Sequence, residues 1–399
     1  AGVSDTTVTL TVERPSGGLV PFTRQVTLVA AARQTLTLDA DFESFGDIVD
    51  MSTLAPSEMT YVSGVVAAGD DVVVMAARQD ACDTDVCDVT PTLVRVDADG
   101  QGSATSEGFV TYRGLLYPLQ PVSDAHGRIY VPFVGPADGA RSGVSIYGPD
   151  LTWLTTVDLD ADEVYLSDAA VVSSGSDATR IYMIVDVDLD EQGTLHAWDV
   201  DFTDLSVQTT TLADEVPVAW DRSIVADETV VAFGAAGALY ITDPSLGALT
   251  VVPLTPEPNA FRPAITANGI YAAAFTSTLT GIDFFGIPRA GFPVTLSSIV
   301  YEVHAHSDRL YALGNDLTEL TESGAIDDTL SLCASYSSAA FAGDRAWVTC
   351  DTELIEVGLT PALRIERRGL GTAYLGRPIV TNDYVFVQAG DTTLMVVPR

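Results

Sequence analysis

The fold is decided by a short stretch, PVSDAHGRIYVPFV at residues 121–134. An apolar pair comes first, a small polar turn containing Gly127 follows, and a run of β-forming residues with the aromatic Tyr130 completes the unit. Polar turn residues separate strands, and Val, Ile, Tyr and Phe are residues that strands favour. The stretch therefore predicts a β-hairpin.

The same unit occurs eight times, and successive copies start roughly 35 to 57 residues apart. Self-similarity at such a period indicates a repeat architecture. Two copies share their first dipeptide, Arg262-Pro263 and Arg377-Pro378. The other copies are 64–76 (GVVAAGDDVVVMA), 170–185, 223–234 (SIVADETVVAFG), 263–275 (PAITANGIYAAAF), 302–313 (EVHAHSDRLYAL), 339–349 (AAFAGDRAWVT) and 378–387 (PIVTNDYVFV).

Each copy is followed by a second pair of alternating segments, such as 92–96 and 143–147, which gives four strands per repeat. Four-stranded repeats of this length are the blades of a β-propeller, so we expect an all-β propeller of about eight blades. Seven blades is the alternative, because residues 1–60 could supply a blade strand or a separate lobe. The last copy leaves room for only about three strands before Arg399, so we expect the ring to borrow a strand from upstream, which removes an open sheet edge.

The chain resembles the β-propeller superfamily over roughly 340 residues. Residues 281–294 (GIDFFGIPRAGFPV) look like the Gly-Phe-Pro-bearing outer strands of secreted bacterial propellers. The Trp-Asp signature of one propeller class is absent, and so is the repeated Trp-and-Gly docking pattern of the quinoprotein class. The resemblance therefore implies the fold and an exported protein, and it implies no quinone site.

Residues 1–48 read differently from the repeats that fill 49–399. They hold three alternating segments separated by the turn residues at 15–18 and the break at 31–33. About 45 residues cannot bury a stable core alone. We expect this N-terminal β segment to pack onto the propeller, to complete it by donating a strand, or to dock on a neighbouring molecule.

The charge balance restricts the partners. The chain carries 55 acidic residues against 19 basic ones, all of them Arg, for a formal net charge of −36. Such a surface repels nucleic acid and anionic membranes, so we expect neither as a partner. The chain begins Ala1-Gly2-Val3 and contains no run of about 18 apolar residues, which predicts an exported protein, extracellular or at the cell surface, with its signal peptide removed and no membrane insertion.

The four cysteines agree with export. Cys82 and Cys87 share one short polar loop, while Cys333 and Cys350 belong to neighbouring repeats. An even count in an exported chain predicts two disulfides. A metal or redox pair is the alternative for Cys82 and Cys87, but it needs two intervening residues where this loop has four.

The same loop is the best calcium candidate. Asp80, Asp83, Asp85 and Asp88 surround the two cysteines, and Ca²⁺ requires several converging oxygen ligands. The alternative is a solvated acidic hairpin tip, where water screens the like charges. Glu302, His304 and His306 alternate along one predicted strand and could offer three ligands to a transition metal; the alternative there is a polar strand edge lining the channel.

One basic cluster stands out near the C-terminus: Arg364, Arg367 and Arg368. It could meet an acidic patch on a second copy of the chain, a heterologous contact that builds rings or filaments. The alternative is a turn with local salt bridges to Glu356 or Glu366.

No catalytic motif is present: Gly-x-Ser-x-Gly, His-Glu-x-x-His, Gly-Lys-Ser and Cys-x-x-Cys-His are all missing. The sequence thus favours a non-catalytic extracellular structural or interaction propeller, a homo-oligomer or filament subunit linked through its N-terminal β segment. The alternative is a carbohydrate-binding or other ligand-binding propeller, hydrolytic or not, that uses the channel mouth.

Overall fold

The structure is a computed structural model. It describes residues 6–12, 22–28, 47–51, 59–83, 86–105, 107, 112–113, 120–133, 142–159, 165–166, 169–186, 192–217, 224–254, 262–273, 275–333, 338–350, 352–370, 375–390 and 393–399. These residues contain no α-helix and form antiparallel sheets.

Three strands precede the first repeat. β1 (Thr6–Val12) and β2 (Phe22–Leu28) form an antiparallel hairpin in which Thr6 faces Leu28 and Val12 faces Phe22. Within the described part of the chain, neither strand joins another sheet. β3 (Asp47–Asp50) behaves differently, because it pairs with the last strand of the chain.

The first four repeats each build one sheet, here called blades 1 to 4. Each of these sheets is antiparallel and follows the order of the chain. Blades 1 and 2 consist of β4 (Met59–Ala68), β5 (Asp71–Asp83), β6 (Val86–Val96) and β7 (Gly102–Thr105), with β8 (Tyr112–Arg113) also paired to β6, and of β9 (Val122–Ser123), β10 (Ile129–Phe133), β11 (Ser142–Tyr147) and β12 (Trp153–Leu159), respectively. Blade 3 consists of β14 (Ala170–Ser173), β15 (Ala178–Asp186), β16 (Gln192–Asp201) and β17 (Ser206–Pro217), with β13 (Tyr165–Leu166) also paired to β15. Blade 4 consists of β18 (Ile224–Ala226), β19 (Val231–Ala235), β20 (Ala238–Thr242) and β21 (Leu249–Pro253).

The last four repeats are blades 5 to 8. Blades 5 and 6 share the long β25, which leaves blade 5 and becomes the first strand of blade 6 through a register shift between Val300 and Glu302. Blade 5 is β22 (Ala264–Thr266), β23 (Gly269–Ala272), β24 (Thr276–Ile282) and the start of β25 (Val294–His306); blade 6 is the end of β25, β26 (Arg309–Gly314), β27 (Asp316–Thr321) and β28 (Ile326–Ser331); blade 7 is β29 (Ser338–Ala342), β30 (Arg345–Cys350), β31 (Glu353–Gly358) and β32 (Arg364–Leu370); blade 8 is β33 (Leu375–Val380), β34 (Tyr384–Ala389), β35 (Thr393–Pro398) and β3.

The blades close into a ring. The first strands of neighbouring blades contact each other around a common axis, and β33 of blade 8 contacts β4 of blade 1. β3 forms the fourth strand of blade 8, with Asp47 opposite Val396 and Asp50 opposite Thr393. The described residues thus form an eight-bladed β-propeller, which confirms the predicted fold, and the upstream strand closes its last blade.

The core lies between the blades. The described apolar side chains form eight buried clusters, and each cluster draws its members from two neighbouring blades. In β5, Val72 and Val74 pack toward blade 8, whereas Val73 and Met75 pack toward blade 2. Successive strand residues point to opposite faces, so a strand with a blade on each side needs apolar residues at every position. This is why the second strand of each repeat reads as a continuous apolar run.

The blade interfaces predict a contrast between two phenylalanines. Phe233 is fully buried between blades 3 and 4 and stacks on Tyr240 with ring centroids 4.9 Å apart, whereas Phe285 is 80% exposed. Phe233→Ala should lower the free energy of unfolding by about 3–5 kcal/mol because it leaves a cavity. Phe285→Ala should change it by less than about 0.5 kcal/mol. Urea denaturation measures both, and equal losses would contradict the interface core.

Candidate functional site

A cavity of about 470 Å³ lies on the axis of the ring. Residues from the first strands of all eight blades, or immediately before those strands, line it. Its size falls within the range of small-molecule sites in proteins. The axial cavity is therefore the candidate functional site.

One half of the cavity wall carries arginine and histidine side chains. Blade 5 contributes Arg262, blade 6 contributes His304 and His306, and blade 8 contributes Arg377. No Asp or Glu is among the described residues that line the cavity.

Hydrogen bonds orient both histidines. The Nε2 of His304 lies 2.9 Å from Oε2 of Glu302, and the Nε2 of His306 lies 2.7 Å from the carbonyl oxygen of Gly343. A carboxylate and a carbonyl only accept hydrogen bonds, so Nε2–H is the donor in each pair. Both imidazole rings also contact the Phe341 ring of blade 7, at centroid distances of 5.0 and 5.7 Å.

Most residues of the opposite half of the wall also belong to, or pack against, the apolar clusters between the blades. Blades 1, 2 and 4 contribute Val65, Val66, Pro121, Val122 and Ile224. The polar side chains of Gln120 and Ser123 lie among these residues.

A buried ion pair holds the turn that follows the lining residue Ser123. The Arg128 Nε donates to Oδ2 of Asp124 at 2.7 Å, and these side chains are 7% and 1% exposed. Asp124 Oδ2 also accepts from the hydroxyl groups of Tyr130, at 2.9 Å, and Ser173 of blade 3, at 3.1 Å. Burial alone would raise the pKa of Asp124, but the hydrogen bonds from Arg128 and Tyr130 outweigh burial and hold this pKa below its usual range. The pair fixes the edge of the cavity between blades 2 and 3.

The C-terminal arginines occupy a second charged cluster. The fully buried carboxylate of Glu356 accepts from Arg345 and Arg367, and Arg367 also donates to the carbonyl oxygen of Pro398 in blade 8 at 2.9 Å. Arg364 pairs with Glu366. These are the local salt bridges that the sequence offered as the alternative to self-association. The Arg368 side chain lies outside the described part of the chain.

The acidic cysteine loop is the tip of a long hairpin. β5 extends to Asp83 and β6 begins at Val86, so the turn is shorter than the loop that the sequence suggested. The backbone register places Cys82 directly opposite Cys87. Asp85 and the side chains of Asp80, Asp83, Asp88 and both cysteines lie outside the described residues. The calcium site and this disulfide stay predictions.

Cys333 and Cys350 form a disulfide that links the end of blade 6 to β30 of blade 7. Among the described residues, no group of three or more His, Cys, Asp or Glu side chains is arranged to hold a metal ion. Glu302, His304 and His306 therefore do not assemble into the transition-metal site considered from the sequence. The described chain also has no helix with the length and apolar character needed to cross a membrane.

The sequence did not assign Arg262 and Arg377, the two arginines that line the axial cavity, to any site. Their signal was the Arg-Pro dipeptide at the start of two repeats, which placed Arg262 and Arg377 at equivalent positions in two blades. Only the ring brings these two blades around one cavity.

Comparison with known proteins identifies the fold and no particular family. No protein-family model matches the sequence, and no curated protein matches it. The computationally designed Ika8 protein is 13% identical, with 89% of this chain and 100% of that chain covered and a TM-score of 0.61. BamB from Moraxella catarrhalis is 14% identical, with 89% of this chain and 99% of that chain covered and a TM-score of 0.55. Sqt1 from Saccharomyces cerevisiae is 8% identical, with 89% of this chain and 99% of that chain covered and a TM-score of 0.62. BamB and Sqt1 are β-propeller proteins, so the class of this chain is the β-propeller.

The Asp124 pair predicts a pH-dependent stability. Asp124→Asn leaves the Arg128 charge buried without its counter-ion and should lower the free energy of unfolding by about 3–5 kcal/mol near neutral pH. Because the folded pKa lies below the unfolded one, the ion pair contributes fully above the unfolded pKa and is lost as the pH falls through the folded pKa.

The difference between wild type and variant, measured by denaturant unfolding at several pH values, should therefore shrink only below about pH 4. Asp150→Asn, at an exposed turn, is the control. A difference for Asp124→Asn that does not vary between pH 7 and pH 3 would contradict the ionised pair.

Proposed function

We propose that this protein is an exported, non-catalytic interaction propeller that assembles with further copies of itself through its N-terminal β segment. The observation that carries the proposal is that the first three strands have different pairing partners. β3 completes blade 8 of its own ring, whereas β1 and β2 pair only with each other in the described part of the chain.

An isolated two-stranded hairpin is marginally stable in water at best. β1 and β2 have seven residues each, and their outer edges carry backbone donors and acceptors along their length. Adding a strand or a sheet edge from a second copy supplies the missing hydrogen bonds. Because donor and acceptor surfaces then differ, the contact is heterologous and extends into a ring or a filament.

The arginine cluster near the C-terminus could reduce the electrostatic repulsion between copies of this acidic chain. Copies with a net charge of −36 repel each other, so a cationic element at the contact reduces this cost. Of the basic cluster, Arg364 is the more exposed described member, while Arg367 holds the buried Glu356. We assign the self-association role of Arg364, Arg367 and Arg368 chiefly to Arg364.

Export is supported by the Cys333–Cys350 disulfide, because disulfides persist in oxidising compartments. The chain is strongly acidic, and its basic residues are all arginine. A high net charge keeps a protein in solution, as an extracellular protein requires.

The alternative function is ligand binding at the channel. An aromatic pair with one exposed member favours it: Phe275 is 55% exposed, and its ring centroid lies 5.5 Å from that of Tyr301. Tyr301 precedes by three residues the part of β25 that lines the cavity. Glycoside hydrolysis needs two carboxyl groups flanking the bond, and the described cavity wall has none. The hydrolytic version of this alternative is therefore the weaker one.

Deleting residues 1–45 tests the assembly proposal, since it removes β1 and β2 and keeps β3. We expect the shortened protein to remain a folded monomer, while the full chain forms oligomers or filaments because its hairpin docks on the next copy. Light scattering on a sizing column, with negative-stain images over a range of concentrations, measures both.

Deletion of residues 1–51 is the matched control. It also removes the closing strand β3 and should lower the thermal stability of the propeller, which the shorter deletion should leave unchanged. Assembly that survives the 1–45 deletion, or a full chain that stays a monomer throughout, would refute the proposal.

We also propose that the hairpin tip binds calcium through Asp80, Asp83, Asp85 and Asp88. Calcium at about 100 times its Kd should stabilise the folded state by about 2.7 kcal/mol and raise the melting temperature. The Asp83→Asn, Asp88→Asn double variant should lose this response. A wild-type melting temperature that is the same in calcium and in chelator would exclude the site.

A further inference from the structure

We infer that β17, the outermost strand of blade 3, is the edge to which the β1–β2 hairpin of a second copy of this chain adds. This inference rests on the self-assembly proposed above and names the acceptor surface, which that proposal leaves open. It depends on the length, the charge and the exposure of β17 and on how they compare with those of the other outermost strands.

The free edge of β17 is long, regular and uncharged. With 12 residues, β17 is the longest outermost strand that belongs to a single blade. It pairs with β16 without interruption from Ser206, opposite Asp201, to Thr211, opposite His196, and in the described part of the chain no strand pairs with its other side. Its residues from Ser206 to Ala213 carry no charge. Such an edge presents backbone donors and acceptors and is a template for pairing with another chain.

Both faces of the first part of β17 are open to solvent. Residues 206–209 are all exposed, and successive residues of a strand point to opposite faces of the sheet. Leu205 and Val207 are 44% and 36% exposed, which places two aliphatic side chains beside this edge. A strand from another molecule therefore reaches β17 without displacing a neighbouring blade.

The other outermost strands lack this combination. β3 and β7 have four residues each, and β21 has five and ends in Pro253. β28 contains Asp327 and Asp328, and β32 contains four charged residues. The β12 ladder has a register shift and includes Asp158, and the ladder at the start of β25 also has a register shift. Short length, charge, proline and bulges are the features that protect sheet edges from pairing.

The hairpin matches this edge in length. β1 and β2 have seven residues each, and the uncharged part of β17 has eight, from Ser206 to Ala213. The sequence of β1 alternates Val8, Leu10 and Val12 with threonines, a pattern typical of a strand with one covered face. Addition to β17 extends the sheet of blade 3 and gives the hairpin the third strand that stable sheets need.

The hairpin also complements the charge around this edge. β1 and β2 contain no acidic residue and one basic residue, Arg24. Asp201 and Asp204 precede the uncharged part of β17, and Asp214 and Glu215 follow it. Within the described residues none of these four carboxylates forms an ion pair. A positive charge that meets an edge with acidic ends offsets part of the repulsion between two copies of net charge −36.

Hydrogen exchange of the wild-type full chain tests the inference without any substitution. Amide exchange is measured by mass spectrometry below and above the protein concentration at which the chain assembles. Assembly should slow exchange at least about tenfold in peptides that cover residues 206–211, because their outward amides then donate to the added strand. Peptides that cover β28 should exchange at the same rate in both states, since this edge stays free.

A matched pair of double variants provides a second readout. Val207→Glu with Thr209→Glu places two carboxylates at exposed positions of the edge, and Val207→Gln with Thr209→Gln adds side chains of nearly the same shape without charge. The Glu variant should need at least about tenfold more protein to assemble than the Gln variant, because its carboxylates lose water in the contact without gaining a partner. Melting curves verify that both variants are folded, and the exchange experiment stands even where one of them is not.

The outcomes separate the acceptor edge from the proposed function. A full chain that stays a monomer refutes both. If the full chain assembles and the 1–45 deletion abolishes assembly, the proposed function stands. Unchanged exchange at residues 206–211, or equal assembly of the Glu and Gln variants, then refutes β17 as the acceptor, and new protection at another outermost strand identifies the edge that is used instead.

Discussion

Each blade of this protein has two apolar faces, and a single four-stranded sheet cannot cover either of them. In β5 alone, Val72 and Val74 pack toward one neighbouring blade while Val73 and Met75 pack toward the other. An open row of such sheets would expose one apolar face at each end. A ring is the arrangement that buries all of them, so the closure of blade 8 on blade 1 supports every other interface.

Closure depends on a strand that lies far from its partner in the sequence. β3 pairs with β35, and Val49 and Met51 pack in the cluster shared by blades 8 and 1. The two ends of the propeller are thereby held in one sheet. In the described part of the chain, β1 and β2 belong to no blade of the ring, which leaves this hairpin for contacts of another kind.

The axis concentrates the chemistry for the same geometric reason. The first strand of each blade, which in blade 6 is the end of β25, has a sheet neighbour on one side only and presents its other edge to the axis, where eight blades meet. Polar groups that would be costly in the blade interfaces can lie there, and the buried charges beside it are paired, as Asp124 is with Arg128. The result is a ring in which arginine, histidine and other polar side chains from several blades line one axial cavity.

The sequence by itself determined the strand content, the eight-fold repeat and the need for an upstream closing strand, because period-two patterns and turn residues act locally. It also exposed the Arg-Pro pair shared by two repeats. It did not determine that Arg262 and Arg377 line one cavity, that Arg367 is committed to the buried Glu356, or that Glu302 and His304 bond to each other rather than form part of a metal site. Those outcomes depend on which blades face each other across the axis and on how each side chain is oriented. Distances between residues more than a hundred positions apart are set by ring closure, and no local pattern encodes them.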